Sequence, residues 1–248
     1  MYTALLIIAC FAGTAAYAYW NKNRSQVLIK NDDLPPFPIK WRLLLQQEVP
    51  FYGLLNNQEQ ATFEYLVQRF LHRVRITGIK TEVSETDKIL VAASAAIPIF
   101  AHPNWEYPNL YEVLLYPKGF NQQFELEGND THIQGMIGTG YMDGKMIISQ
   151  VALRAGFQNE TDKKNTAIHE FVHLIDKADG IIDGIPLLLL EKQYTIPWLD
   201  LIRQKMDEIY QDKSDINPYG GTSNIEFFTV ASEYFFERPQ LLKRKHPR

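Results

Sequence analysis

Two histidines stand four residues apart, with a glutamate after the first, in the stretch TAIHEFVHLID at 166–176. In an α-helix, positions four apart are only about 40° out of line and about 6 Å apart along the axis. His169 and His173 therefore project side by side and can bind one metal ion. Glu170 lies to one side, where it can take a proton from a water molecule without binding the metal. This spacing indicates a zinc site that carries its own general base.

The same stretch also fits an ordinary amphipathic helix with two core histidines and no metal. Its apolar residues recur at helical spacing: Ile168, Phe171, Val172 and Ile175. We favour the interpretation as a metal site, because this motif requires a helix that can pack on a core.

The sequence also limits the third metal ligand. A catalytic zinc ion needs three protein ligands and one open position. The chain has a single cysteine, Cys10, which excludes an internal disulfide and a cysteine-built zinc site. The candidates are four lone histidines and three glutamates of the last predicted helix: His72, His102, His132, His246, Glu226, Glu233 and Glu237.

Glu226 and Glu233 are seven residues apart, which places them about 20° out of line on one side of an otherwise apolar helix. An unpaired buried carboxylate is costly, so the pair fits one zinc ligand and one acceptor for a metal-bound imidazole. Ser223-x-x-Glu226 is also a capping box, in which Glu226 turns back onto the Ser223 backbone N–H. Spacing alone supports both roles of Glu226 about equally.

Asp176 follows His173 by three residues and has two interpretations. Its carboxylate can hold the free N–H of an imidazole as a second-shell partner of the metal. It can equally be a solvated residue near the end of the helix.

The surrounding pattern predicts a mostly helical α+β domain with a small mixed sheet. Apolar periodicity and turn residues predict helices at 41–47, 56–78, 88–101 (ending at Pro98), 161–178 (capped by Asn159 or Thr161), 198–212 and 225–237. Two apolar segments, 110–117 and 144–153, predict strands, and the edge of the second is expected to align an extended peptide. The basic tail KRKHPR, residues 243–248, is expected to fray.

The first twenty residues carry no charged side chain, and twenty helical residues span about 30 Å, the thickness of a bilayer core. Lys22 and Arg24 follow, which places the downstream chain in the cytoplasm. We therefore predict a transmembrane anchor at 1–20, a proline-containing tether at 21–40 and a zinc metallopeptidase domain at 41–248. Three alternatives fit less well. A cleaved signal peptide requires basic residues at its start, a lipoprotein site at Cys10 requires a small residue two positions earlier, and a buried core helix requires a polar face. The segment lacks each of these features.

Composition argues against one class of partner. The chain has 29 acidic and 25 basic residues and a net charge of −4. Phosphate binding requires clustered Lys and Arg, so no nucleic acid is expected as a partner.

Three segments together carry a family resemblance: HEFVHLID, the upstream EVLLYP and the downstream IEFFTVASEYFF. From about Phe51 to Pro239 the chain resembles the Mlc titration factor A family of bacterial zinc-dependent peptidases. The resemblance implies a zincin-like fold related to the protease core of anthrax lethal factor.

The resemblance also implies roles for five residues. His169 and His173 match the histidine ligands, Glu226 the third ligand and Glu170 the catalytic base. Tyr219, in NPYGG, resembles a tyrosine ahead of the last helix, a donor to the oxyanion of the reaction. One zinc ion per chain and a peptide or protein substrate follow.

Family members are described as aminopeptidases and as binders of a transcriptional repressor. This chain departs from soluble members by its apolar start and short tail, so the repressor is not carried over and the protein partner stays unknown. Two functions are therefore weighed. The first is an aminopeptidase-like zinc peptidase. The alternative is a zinc-stabilised regulatory module that docks a protein with little or no proteolysis.

Overall fold

The computed structural model describes residues 34–128, 130–159, 162–187 and 189–247. The predicted anchor at 1–20, and the predicted tether as far as residue 33, lie outside these ranges. Within them, every helix is too short or too polar to cross a membrane.

The described chain is mostly helical, with one small sheet, which confirms the predicted α+β class. The α-helices are α1 (Ile39–Glu48), α2 (Pro50–Gly53), α3 (Asn57–Arg73), α4 (Glu85–Ile99), α5 (Gln150–Gln158), α6 (Thr166–Asp176), α7 (Thr195–Tyr210), α8 (Asn224–Glu237) and α9 (Pro239–Lys245). The strands are β1 (Arg75–Gly78), β2 (Glu112–Tyr116), β3 (Gly135–Ile137) and β4 (Lys145–Ser149). Short 3-10 turns lie at Gly140–Met142, Lys177–Asp179, Lys192–Tyr194 and Pro218–Gly221.

The sheet has the order β1-β2-β4-β3 and is mixed. β1, β2 and β4 run parallel, and β3 pairs antiparallel with β4, with Gly135 opposite Ile148. The prediction that the strand at 144–153 offers a free edge is therefore wrong, because β4 is covered on both sides. The free edge on that side of the sheet belongs to β3.

Helix α4 lies at the centre of the core, and each of its residues from Ile89 to Ile99 is buried. Alanines and one serine along it let α3 and α6 pack closely against it. Ser84 and Asp87 form a capping box that fixes its start. The helix predicted at 88–101 is thus confirmed, except that Pro98 lies within its last turn instead of ending it.

Other boundaries differ from the prediction for physical reasons. The helix predicted at 56–78 ends at Arg73, because Arg75–Gly78 pairs with β2 and gains its backbone hydrogen bonds there. The strand predicted at 144–153 stops at Ser149, whose hydroxyl accepts a hydrogen bond from Ala152 N and starts α5.

The basic tail is not frayed over its first residues. It forms helix α9, and Nε2 of His246 lies 2.9 Å from Asp215 Oδ1. Tyr234 and Lys163 also donate hydrogen bonds to Asp215, so this carboxylate ties the tail to the body of the domain.

Candidate metal centre

Asn165 caps the start of helix α6 and forms hydrogen bonds with residues of three helices. Its Oδ1 accepts a hydrogen bond from Ile168 N (3.1 Å), and its Nδ2 donates to Gly156 O in α5 (3.0 Å). Its backbone N–H donates to Glu233 Oε2 in α8 (2.6 Å). The predicted caps, Asn159 and Thr161, are therefore wrong. An asparagine directly before an apolar run was the signal that marked the true cap.

The apolar face of α6 packs into the core. Phe171 is fully buried, with its ring 5.5 Å from that of Phe70 and 5.1 Å from that of Tyr107. This packing fixes the rotation of the helix and directs His169 and His173 toward Glu226. The same helix therefore has both the apolar face and the pair of histidines that the sequence predicted.

Three donor atoms converge where α6 meets the start of α8. His169 Nε2 lies 3.0 Å from His173 Nε2 and 3.1 Å from Glu226 Oε2. His173 Nε2 lies 3.7 Å from the same Glu226 oxygen. Ligands of a tetrahedral zinc ion, with bonds of about 2.0–2.1 Å, are separated by about 3.3 Å. The three separations bracket that value, so the donors fit one zinc ion.

Hydrogen bonding shows which nitrogen of His169 faces the centre. Its Nδ1 lies 2.8 Å from Glu233 Oε1, and in the neutral tautomer that donates Nδ1–H to this carboxylate the lone pair of Nε2 is directed at His173 and Glu226. Two imidazole nitrogens and a carboxylate oxygen then face one point, an arrangement that could hold a metal ion. Two histidines and a glutamate are a common donor set for catalytic zinc.

Even without a metal ion, the carboxylates around this centre favour a positive charge on one of the two imidazoles. Burial opposes protonation of His169, but hydrogen bonds with Glu226 and Glu233 raise its pKa to about 10. Burial and the neighbouring charge of His169 lower the pKa of His173 to about 4. Without metal, one imidazole holds the positive charge that the surrounding carboxylates require, and the other stays neutral.

Glu170 lies beside this centre and is 6% exposed. Burial raises the pKa of its carboxyl to about 7; the nearby charge of His169 opposes the rise, and Glu226 and Glu233 add to it. A carboxylate with a pKa near neutrality is suited to accept a proton and give it back.

Glu226 lies in the first turn of α8, the last long helix. Its backbone N–H donates to Ser223 Oγ (3.1 Å), so Ser223 caps α8. Its carboxylate, however, faces the two histidines instead of turning back onto Ser223. The capping-box interpretation is therefore wrong for the Glu226 side chain. Ser223 caps the backbone N–H of Glu226, while the Glu226 carboxylate faces His169 and His173.

Tyr219 stands at the rim of the centre and is 52% exposed. Its ring centroid lies 6.1 Å from that of His169. Burial, together with Glu226, raises the pKa of the phenol to about 12, which keeps it protonated as a donor.

The remaining candidates lie elsewhere. Asp176 is 1% exposed, so its interpretation as a solvated residue is wrong. Its Oδ2 accepts a hydrogen bond from Gly184 N (2.8 Å), while His173 Nδ1 has no hydrogen-bond partner among the described residues. In the ranges that the structure describes, His169, His173 and Glu226 form the only cluster of three or more metal-binding side chains, so the four lone histidines do not join one.

Comparison with known proteins shows which sequences this chain is similar to. A family model described as glucose-regulated metallo-peptidase M90 matches residues 19–248. An uncharacterized protein from Synechocystis sp. is 26% identical over 97% of this chain and 90% of its own length. Mlc titration factor A from Escherichia fergusonii is 27% identical over 80% of this chain and 78% of its own. The protein of that name from Cronobacter sakazakii is 26% identical, covering 85% and 82%.

Proposed function

Because the chain belongs to the M90 family of glucose-regulated metallopeptidases, we propose that it is a zinc-dependent peptidase that uses Glu170 as its general base. The match confirms the predicted resemblance to the Mlc titration factor A family. One observation carries the proposal: the donor atoms of His169, His173 and Glu226, from two separate segments, lie within 4.8 Å of one another, and the buried carboxylate of Glu170 lies beside them.

His169, His173 and Glu226 would hold the zinc ion, and Glu233 would keep His169 in the tautomer that binds it. When bound, zinc polarises a scissile carbonyl and lowers the pKa of water. Glu170 takes the proton of the attacking water and delivers it to the leaving amine. Tyr219 donates a hydrogen bond to the oxygen on which negative charge develops.

The free edge of β3 gives the substrate a place to lie. An extended peptide can add to Gly135–Ile137 as a further strand, with main-chain hydrogen bonds that do not depend on its side chains. Helix α6 packs against β3, so a peptide bound there passes beside Glu170. We also propose that the fold is zincin-like and that the substrate preference is aminopeptidase-like.

The Glu170→Gln variant tests the mechanism. The variant should bind one zinc ion per chain by elemental analysis, because Glu170 is not a ligand. Its hydrolysis of aminoacyl chromogenic substrates and unstructured peptides should fall by about two to four orders of magnitude, the usual contribution of a general base. Undiminished turnover would reject Glu170 as the base. A protein that holds zinc, hydrolyses no substrate and yet binds a partner would instead support the docking module.

We further propose that residues 1–20 anchor the peptidase in a membrane with its catalytic domain in the cytoplasm. The support is the uncharged twenty-residue stretch followed by Lys22 and Arg24. Protease accessibility of the domain in sealed vesicles of either orientation tests this topology. Recovery of the intact chain in the soluble fraction would reject the anchor.

A further inference from the structure

Gly135, at the start of the edge strand β3, lies directly against the side chain of Glu170. A Cβ atom placed on Gly135 would stand 2.6 Å from both Cγ and Oε1 of Glu170 and 2.9 Å from its Cδ. Ordinary van der Waals contacts of a Cβ atom begin at 3.4 Å. The backbone of the edge strand therefore forms one wall of the space that holds the carboxylate.

This glycine is required for space and not for an unusual backbone. The described glycines with positive φ are Gly128, Gly140, Gly144, Gly180 and Gly184, so Gly135 has a backbone conformation open to other residues. Nor can the strand move back easily. Gly135 is in register with Ile148 of β4, and the adjoining Gln134 O accepts a hydrogen bond from Ser149 N (2.7 Å).

Helix α6, on the opposite side of the Glu170 side chain from β3, is also fixed, because Phe171 holds it in the core. The carboxylate itself is the movable part. No hydrogen bond to it occurs within the described part of the chain, so its position depends on the shape of its surroundings.

We propose that Gly135 is a positioning residue for Glu170: its missing side chain lets the carboxylate lie against the edge strand, where the peptide would bind. The inference rests on the proposed function, since it assigns Glu170 the role of base. Any side chain at position 135 would push the carboxylate about 0.8 Å away, the difference between 3.4 and 2.6 Å.

The Gly135→Ala variant tests the proposal. Because the Glu170 side chain can rotate away from the added methyl group, melting temperature and zinc content should match wild type. A catalytic group misplaced by about 1 Å can cost about 100-fold, so kcat should fall 10- to 100-fold with KM little changed. Gly53→Ala is the matched control, since a Cβ atom there meets nothing within 4 Å, and its kcat should be that of wild type.

A double-mutant cycle with Glu170→Ala gives a readout that a structural role would not move. Alanine lacks the Cγ, Cδ and Oε1 atoms that the added methyl group would meet, so Gly135→Ala should cost little or nothing of the residual kcat in the Glu170→Ala background. Unchanged kcat in Gly135→Ala, or equal losses in both backgrounds, would overturn the proposal.

The crystal structure of metal-free Gly135→Ala separates this inference from the proposed function. A displaced Glu170 carboxylate on an unmoved strand supports the positioning role even if no peptide substrate is hydrolysed by wild type. A strand that shifts while the carboxylate stays in place rejects it, whatever the activity of wild type.

Discussion

His169 Nδ1 lies 2.8 Å from Oε1 of Glu233, and the other oxygen of that carboxylate accepts a hydrogen bond from Asn165 N at 2.6 Å. Glu233 therefore orients an imidazole of the metal centre and holds the first turn of the helix that carries it. Both bonds need an acceptor, and only an ionised carboxylate offers two acceptor oxygens in this position.

Replacing Glu233 should weaken zinc binding without removing a ligand. In Glu233→Gln, one end of the side chain is a donor, so either His169 or Asn165 faces another donor. Loss of such a partner costs about 10- to 100-fold in metal affinity. Competition with a chromogenic chelator measures this change. Glu127→Gln, an exposed carboxylate in a loop, is the control and should retain wild-type affinity.

Two roles at the start of α8 can be separated by substitution: Ser223 caps the helix, and the Glu226 carboxylate faces the two histidines. Ser223→Ala removes the cap and should lower the free energy of unfolding by about 1 kcal/mol, with zinc binding unchanged. Glu226→Gln keeps the cap, which uses the backbone N–H, and should lower zinc affinity by at least about two orders of magnitude, beyond the loss expected for a residue that only supports a ligand. Equal zinc affinity in Glu226→Gln and wild type would remove Glu226 from the ligand set.

The grouping of side chains at the candidate metal centre was predictable in part, because helical spacing is local information. The four-residue spacing of His169 and His173 needs only helical geometry, and so does the seven-residue spacing of Glu226 and Glu233. What spacing could not decide was the direction of the Glu226 carboxylate, since a capping box and a metal ligand share the same sequence. That choice depends on how α6 and α8 pack, which is a tertiary relationship.

The sheet was less predictable for the same reason. β1 reads as the end of a helix, because four residues that pair with a distant strand leave little periodic signal. β3 has three residues in a glycine-bearing segment and becomes a strand through pairing with β4. The strand order, and therefore the edge beside Glu170, follows from long-range pairing that no local pattern encodes.

Phe171 should be a large contributor to the stability of α6. Its fully buried ring packs edge-on against Phe70, so Phe171→Ala leaves a cavity and should lower the free energy of unfolding by about 3–5 kcal/mol. Phe171→Leu should cost clearly less, because it fills more of the same space. Denaturant titrations in the presence of chelator measure both values without the contribution of zinc. A cost below about 1 kcal/mol for the alanine variant would show that the site collapses around the smaller side chain.

Glu237, one turn after Glu233, should make stability depend on pH. Both oxygens of its carboxyl are shielded from solvent. Burial raises the pKa from 4.5 to about 8; Asp162 and Glu233 add to the rise, and the backbone amides of Lys164 and Lys163 partly offset it. The folded state then holds a proton that the unfolded state has released, so stability falls as pH rises between about 4.5 and about 8. Glu237→Gln removes this loss.

The gain in the free energy of unfolding of Glu237→Gln over wild type should therefore be small at pH 5 and larger at pH 8.5. The pKa change corresponds to a few kcal/mol at most, since each pKa unit is worth about 1.4 kcal/mol and partial solvation reduces the effect. Unfolding in chelator at both pH values measures it, with Glu127→Gln correcting for the loss of one charge. A gain that is the same at both pH values would show that Glu237 is ionised in the folded protein at pH 5, and that burial does not hold its proton.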